Sequence, residues 1–120
     1  MAHILLVEDS EYLRKVIAFS LKQAGYEVSC AENGEVALAL AAEQTFDLLV
    51  TDLNMPVMDG PTLITHIKGL AGYNNVAVIC ITTETSLEEL PESVQALIQA
   101  IVTKPYNPVE LLEQVSLVLA

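Results

Sequence analysis

A chain of 120 residues falls short of the roughly 150 that make a soft prior for one domain, so a single core over residues 1–120 is expected. With 52% hydrophobic and 18% charged residues, the composition is that of a globular chain and not of a disordered one. Five Lys and Arg against 16 Asp and Glu leave a net charge of −11, a field that repels phosphate backbones and anionic lipid and argues against direct nucleic-acid or membrane binding.

The first apolar run, Ile4 to Val7, reads as a strand. It follows Met1-Ala2-His3 without a basic region and ends in Glu8-Asp9 without a cleavage site, so it is not a signal peptide and a cytoplasmic location is expected. No run reaches the roughly 20 apolar residues that span a bilayer. Leu13, Val16, Ile17, Leu21 and Ala24 recur at helical spacing, with Ser10 placed as a cap and Gly25 as a stop. Val28 to Ala31 reads as a second strand, whose short length and Ser29 suggest a sheet edge. Asn33-Gly34 opens a second helix carrying Val36, Ala37, Leu40 and Ala41, and Phe46 to Thr51 returns to strand character.

Gly60-Pro61 opens a third helix with Leu63, Ile64 and Ile67 on one side, and Val76 to Thr82 is the fourth strand. Pro91 disfavours helical geometry at Leu90, so the fourth helix is expected to begin near residue 91. Val102 sits in the fifth strand, and Asn107-Pro108 starts a last helix striped by Leu111, Leu112, Val115, Val118 and Leu119. Cys30 and Cys80 lie in apolar stretches and are expected as buried, reduced thiols. His3 and His66 are isolated and read as solvated or packing residues, and Met55 and Met58 as loop packing.

Five alternating units fit an α/β fold, a doubly wound five-stranded parallel sheet of order 2-1-3-4-5 with five helices and a ligand site at the carboxyl ends of the strands. The residues leaving those ends are Glu8-Asp9, Asp52, Thr82-Thr83 and Lys104-Pro105. Three converging carboxylates repel one another and call for a hard divalent cation. Mg²⁺ fits best, because it takes a few carboxylates with waters and a phosphate oxygen, whereas Ca²⁺ would call for more protein oxygens. A carboxylate flanked by Mg²⁺, the Lys104 ammonium and the Thr82 hydroxyl suits acceptance of a phosphoryl group. Asp52 alone, or Asp59-Gly60 alone, would read as a solvated cap or a turn; the four strand ends together carry the meaning.

The combination of Leu5-Leu6-Val7-Glu8-Asp9-Ser10, Asp47 to Gly60 with its Asp52-Leu53-Asn54-Met55-Pro56, Ile81-Thr82 and Lys104-Pro105-Tyr106 resembles the receiver domain of two-component response regulators, of the single-domain chemotaxis type, over essentially all 120 residues. That resemblance implies a flavodoxin-like receiver fold with Asp52 as phosphoacceptor. It implies that Glu8 and Asp9 form the acidic pair, Asp9 as a direct ligand of Mg²⁺ and Glu8 through water, with the Asn54 backbone carbonyl completing the protein's share. Thr82 would be the switch hydroxyl and Lys104 the phosphoryl-oxygen ligand, with Pro105 following it through a cis peptide bond. The phosphodonor would be a sensor histidine kinase or a histidine phosphotransfer protein. The chain would catalyse its own aspartyl phosphorylation and dephosphorylation, and with no effector domain following Ala120 its output would be binding to a downstream protein, unless the chain is a fragment of a longer regulator.

Several positions depart from the family pattern. Ile101 stands where many receivers carry an aromatic switch, and Thr83 where many carry Ala or Gly, which would narrow access to the site. Asn54 and Glu84 occupy positions that the family associates with the rate of phosphate loss. Leu87, Leu90, Val94, Leu97, Ile98 and Ile101 suit either core packing or a partner surface, including a homodimer through the fourth-helix to fifth-helix face. A phosphorylation-independent scaffold is the alternative function. An aspartate-nucleophile phosphatase is disfavoured because the position two residues after Asp52 is Asn54.

Overall fold

The computed structural model describes residues 1–120, the Glu84 side chain excepted. The elements in chain order are β1 (His3–Val7), α1 (Glu11–Gln23), β2 (Glu27–Ala31), α2 (Gly34–Glu43), β3 (Leu48–Asp52), α3 (Gly60–Lys68), β4 (Ala77–Thr82), α4 (Glu84–Glu88), α5 (Glu92–Gln95), β5 (Ala100–Thr103) and α6 (Pro108–Leu119). The strands form one parallel sheet of order β2-β1-β3-β4-β5, the expected order, with β2 at an edge.

Because successive strand residues point to opposite faces, each central strand feeds two cores. Leu5, Val7, Leu49, Val78 and Cys80 pack with Ala37 and Ala41 of α2 and Leu63, Ile64 and Ile67 of α3 on one face. Ile4, Leu6, Leu48, Val50, Ile79 and Ile81 pack with Ile17 and Leu21 of α1 and Leu111 and Val115 of α6 on the other. Burial on both faces is what makes these strands continuous apolar runs in the sequence.

The helix ends follow local chemistry. Ser10 Oγ accepts from Leu13 N at 3.2 Å, Asn33 Oδ1 from Val36 N at 2.9 Å, Asp59 Oδ1 from Thr62 N at 2.9 Å and Asn107 Oδ1 from Val109 N at 2.9 Å. Gly25 follows α1 at φ +98°, the left-handed geometry that terminates helices. The expected single fourth helix, starting near residue 91, is instead two short ones, giving six helices rather than five. Thr83 caps α4 directly after β4, its hydroxyl accepting from Ser86 N at 3.3 Å. Pro91, with no N–H to continue the ladder, separates α4 from α5.

Leu87, Val94, Leu97, Ile98 and Ile101 are half-buried and pack, with buried Leu90, against the α2/α3 core. Core packing accounts for their buried side, and their half-exposure leaves part of each on the surface. Met55 and Met58 pack against the same core. Cys80 is buried as expected, its thiol pushed up to about 12 by burial and the Asp52 charge. Cys30 is not buried: it lies exposed on edge strand β2, beside Arg14 and Lys22 of α1. His3 packs its ring on Phe46, centroids 4.4 Å apart, and its Nε2 lies 2.8 Å from Ser29 Oγ. No helix among the described residues is long and apolar enough to cross a membrane.

Phe46 and Asp47, expected in the third strand, precede it. Phe46 N donates to the Tyr73 hydroxyl at 3.2 Å, and that hydroxyl donates to the Gln44 carbonyl. Tyr73 thus satisfies two backbone groups where α2 hands over to β3. Tyr73→Phe is expected to lower stability by about 1–3 kcal/mol, the cost of stranding buried polar groups. Urea unfolding would register this as a lower midpoint at unchanged slope; an unchanged midpoint would assign the two bonds no net weight.

Candidate functional site

The carboxyl end of the sheet gathers the polar residues that are buried. Glu8, Thr51, Asp52 and Thr82 are the buried polar or charged residues among those described, and three of the four stand at or just beyond strand ends. Asp52 is the last residue of β3, paired in register with Ile81, and Thr82 is the last of β4, paired with Thr103. Lys104 follows β5, and its N–H donates to the Thr82 carbonyl at 2.8 Å. The Lys104–Pro105 peptide bond is cis.

Both Asp52 oxygens are engaged. Lys104 Nζ donates to Oδ2 at 2.6 Å and Asn54 N donates to Oδ1 at 3.2 Å. Burial of Lys104 disfavours its charge, but the hydrogen bond and charge of Asp52, with Glu8 and Asp9 behind it, outweigh that and raise the ammonium pKa. The lysine therefore stays charged throughout the physiological range.

Glu8 is buried after β1, its N–H bonded to the Ala31 carbonyl at 3.1 Å and its carboxylate accepting from Ser10 N at 3.0 Å. Burial raises its pKa, and Asp9 and Asp52 add to the rise against the opposing Ser10 bond and Lys104 charge. Asp9 is exposed. Glu8, Asp9 and Asp52 each offer a carboxylate oxygen within 4.8 Å of the others, a set that fits a hard divalent cation. The Thr82 hydroxyl is fully buried with no hydrogen-bond partner, a donor held ready beside the carboxylates' end of the sheet.

The expected site residues Glu8, Asp9, Asp52, Asn54, Thr82 and Lys104 lie at this one end of the sheet. Asn54 is exposed, its N–H on Asp52 and its side chain on Ser86. Thr83 is exposed and its hydroxyl is used to cap α4. The Glu84 side chain lies outside the described residues. Two participants escaped the sequence reading. Ser86 was missed although Thr83 and Ser86 carry the spacing of a helix cap. Gly60 opens α3 as expected, but the sequence carries no sign of its close approach to β3, where its N–H donates to the Leu53 carbonyl at 2.9 Å and an added Cβ would meet backbone.

The profile of the response regulator receiver domain matches residues 4–116. The chain belongs to that family. This receiver domain is 34% identical to chemotaxis protein CheY1 of Helicobacter pylori over 118 residues, covering 97% of this chain and 95% of the relative. It is 31% identical to CheY-3 of Vibrio cholerae over 112 residues, covering 92% and 86%. Among solved structures, the chemotaxis response regulator CheY4 of Vibrio cholerae superposes with a TM-score of 0.90 at 36% identity, covering 98% of each chain. The receiver domain of the hybrid histidine kinase CckA superposes with a TM-score of 0.81 at 35% identity, covering 98% and 99%. The chain is thus a CheY-like receiver domain of two-component signalling.

Proposed function

We propose that residues 1–120 act as one receiver domain that accepts a phosphoryl group on Asp52 from a phosphohistidine of a sensor kinase or phosphotransfer protein, and signals by binding a downstream protein. The observation that carries this reading is the Asp52 carboxylate held by Lys104 at 2.6 Å, with Glu8 and Asp9 close enough to share a cation with it. A carboxylate oxygen of Asp52 attacks phosphorus, the phosphorus–nitrogen bond breaks, and the imidazole nitrogen leaves with the bonding pair and takes a proton from solvent. Lys104 shifts from the carboxylate to a phosphoryl oxygen, and Thr82 finds in another the partner its hydroxyl lacks.

Glu8, Asp9, Asp52 and the Asn54 carbonyl would hold Mg²⁺, which supplies positive charge to offset that of the phosphoryl oxygens. Burial of Glu8 beside two other acids, stabilised only by Ser10 N–H and the Lys104 charge, is the cost this arrangement carries without a cation. Incubation with acetyl phosphate should add one phosphoryl group by intact mass in Mg²⁺ and none in EDTA. No incorporation in Mg²⁺ would dismiss the reading.

Millimolar Mg²⁺ should also raise the melting temperature, because the folded acid cluster binds it and the unfolded chain does not. Asp9→Ala should remove most of that rise. The Glu8 pKa sets the pH dependence. A folded value above 4.5 means that protonation favours the metal-free fold, a contribution complete below 4.5 and lost as pH rises through the folded value. Metal binding needs the ionised form, so the Mg²⁺-induced rise should shrink as pH falls through that same raised value. Melts that ignore Mg²⁺ at neutral pH in both proteins would remove the metal site from the account.

A further inference from the structure

Beside Asp52, a side-chain network joins the loop after β3 to the start of α4. Asn54 Nδ2 donates to Ser86 Oγ, and the Thr83 hydroxyl donates to the same oxygen at 3.0 Å. Ser86 N in turn donates to Thr83 Oγ1 at 3.3 Å. Ser86 thus accepts from two side chains on two different strand-end loops, while the Asn54 N–H holds Asp52 Oδ1. Asn54, two residues beyond buried Asp52, is exposed. A crevice of about 170 Å³ runs along this seam, lined by Leu53, Asn54 and Asp59 on one wall and Ser86, Glu89 and Pro91 on the other. It has room for water.

We propose that Ser86 is a positioning residue that sets the lifetime of the phosphoryl group on Asp52 by anchoring the Asn54 side chain. The proposal rests on Asp52 being the acceptor. Phosphate loss is attack of a water oxygen on phosphorus, with the phosphorus–oxygen bond to Asp52 breaking. The carboxylate departs with the bonding pair, and the water's proton passes to solvent or to the released phosphate. Water must come from solvent, and Asn54 is the exposed neighbour whose N–H holds Asp52 Oδ1. Anchored on Ser86, the Asn54 carboxamide is committed to α4; freed, it has a donor and an acceptor to offer the incoming water. The Thr83 hydroxyl stays engaged as the cap of α4, accepting from the backbone N–H of residue 86.

The test loads the protein with acetyl phosphate in Mg²⁺, removes the donor, and follows the decay of the phosphorylated mass. Ser86→Ala is expected to accelerate decay by about two- to tenfold, the factor that one neutral hydrogen bond is worth in an equilibrium. Ser86→Thr, which keeps the hydroxyl, is expected to restore the parent rate. In an Asn54→Ala background, which retains the backbone carbonyl and N–H, Ser86→Ala should have no further effect. A merely structural role for Ser86 would persist in that background and would not be rescued by threonine. Equal lifetimes for parent and Ser86→Ala, or the same acceleration with and without the Asn54 side chain, would overturn the proposal. Failure of the parent to load at all would instead strike the acceptor reading, and this proposal with it.

Discussion

Asp52→Asn is expected to take up no phosphoryl group from acetyl phosphate in Mg²⁺, while its circular dichroism and melting profile stay close to those of the parent. A carboxamide is nearly isosteric with a carboxylate but is neither an anionic nucleophile nor a charged metal ligand. The structural cost is small because two terms oppose each other. The change breaks the ion pair with Lys104, whose side chain is 32% exposed and screened by water. It also removes one of three clustered carboxylates and so relieves Glu8 and Asp9. From the sequence, where only the repulsion is visible, removal of one acid should stabilise the metal-free protein; with the Lys104 pair included, the net change is expected within about 1 kcal/mol of zero. Full incorporation by the variant would place the acceptor on another residue.

Gly60→Ala is expected to be the most damaging small substitution near the site. Gly60 has no unusual backbone angle; what it lacks is room. A Cβ there would lie 2.6 Å from Leu53 Cα and closer still to the Asp52 carbonyl oxygen, both backbone atoms that no rotamer change can move. The clash must displace either the start of α3 or the end of β3, and with it the Gly60 N–H bond to the Leu53 carbonyl. Overpacking of this kind costs about 1–3 kcal/mol, a fall in melting temperature of roughly 5–15 °C for a domain of this size. Since Asp52 lies at the point of contact, the rate of phosphoryl uptake should fall as well. A variant that melts and loads like the parent would mean that the close approach of α3 to β3 is dispensable.

Most of the fold was legible because strand burial and helix capping leave local marks. Ile4 to Val7 and Val78 to Ile81 are buried on both faces and so read as unbroken apolar runs. Ser10, Asn33 and Asn107 cap the helices they were expected to cap. Errors arose where a distant partner or a competing local signal decided the outcome. Pro91 does precede a helix, α5, as expected, but the cap at Thr83 begins a separate short helix, α4, before it. Phe46 reads as strand by its side chain, whereas its N–H is claimed by Tyr73, 27 residues away. Cys30 sits in an apolar context, yet β2 has a neighbour on one side only. Residue types were enough to gather Glu8, Asp9, Asp52, Thr82 and Lys104 into one cluster, since each stands at or just beyond a strand end that the topology brings together. Ser86 and Gly60 became visible only in three dimensions: one matters for the side chain it receives, the other for the atom it does not have.

The division of the fourth helix also bears on how the molecule opens. Segments of five and four residues are far below the ~12–15 that sustain an isolated helix, so α4 and α5 persist only through their caps and their contacts with the rest of the protein. The central strands beside them are buried on both faces and are expected to open only with the whole domain. The stretch from Thr83 to Ile98 is therefore expected to open at lower free energy than the sheet, which hydrogen exchange would register as weaker protection of its amides. That stretch begins at Thr83, one residue beyond the buried Thr82 hydroxyl. A charge placed on Asp52 consequently meets, on its solvent side, the portion of the chain that can be reordered at least expense to global stability.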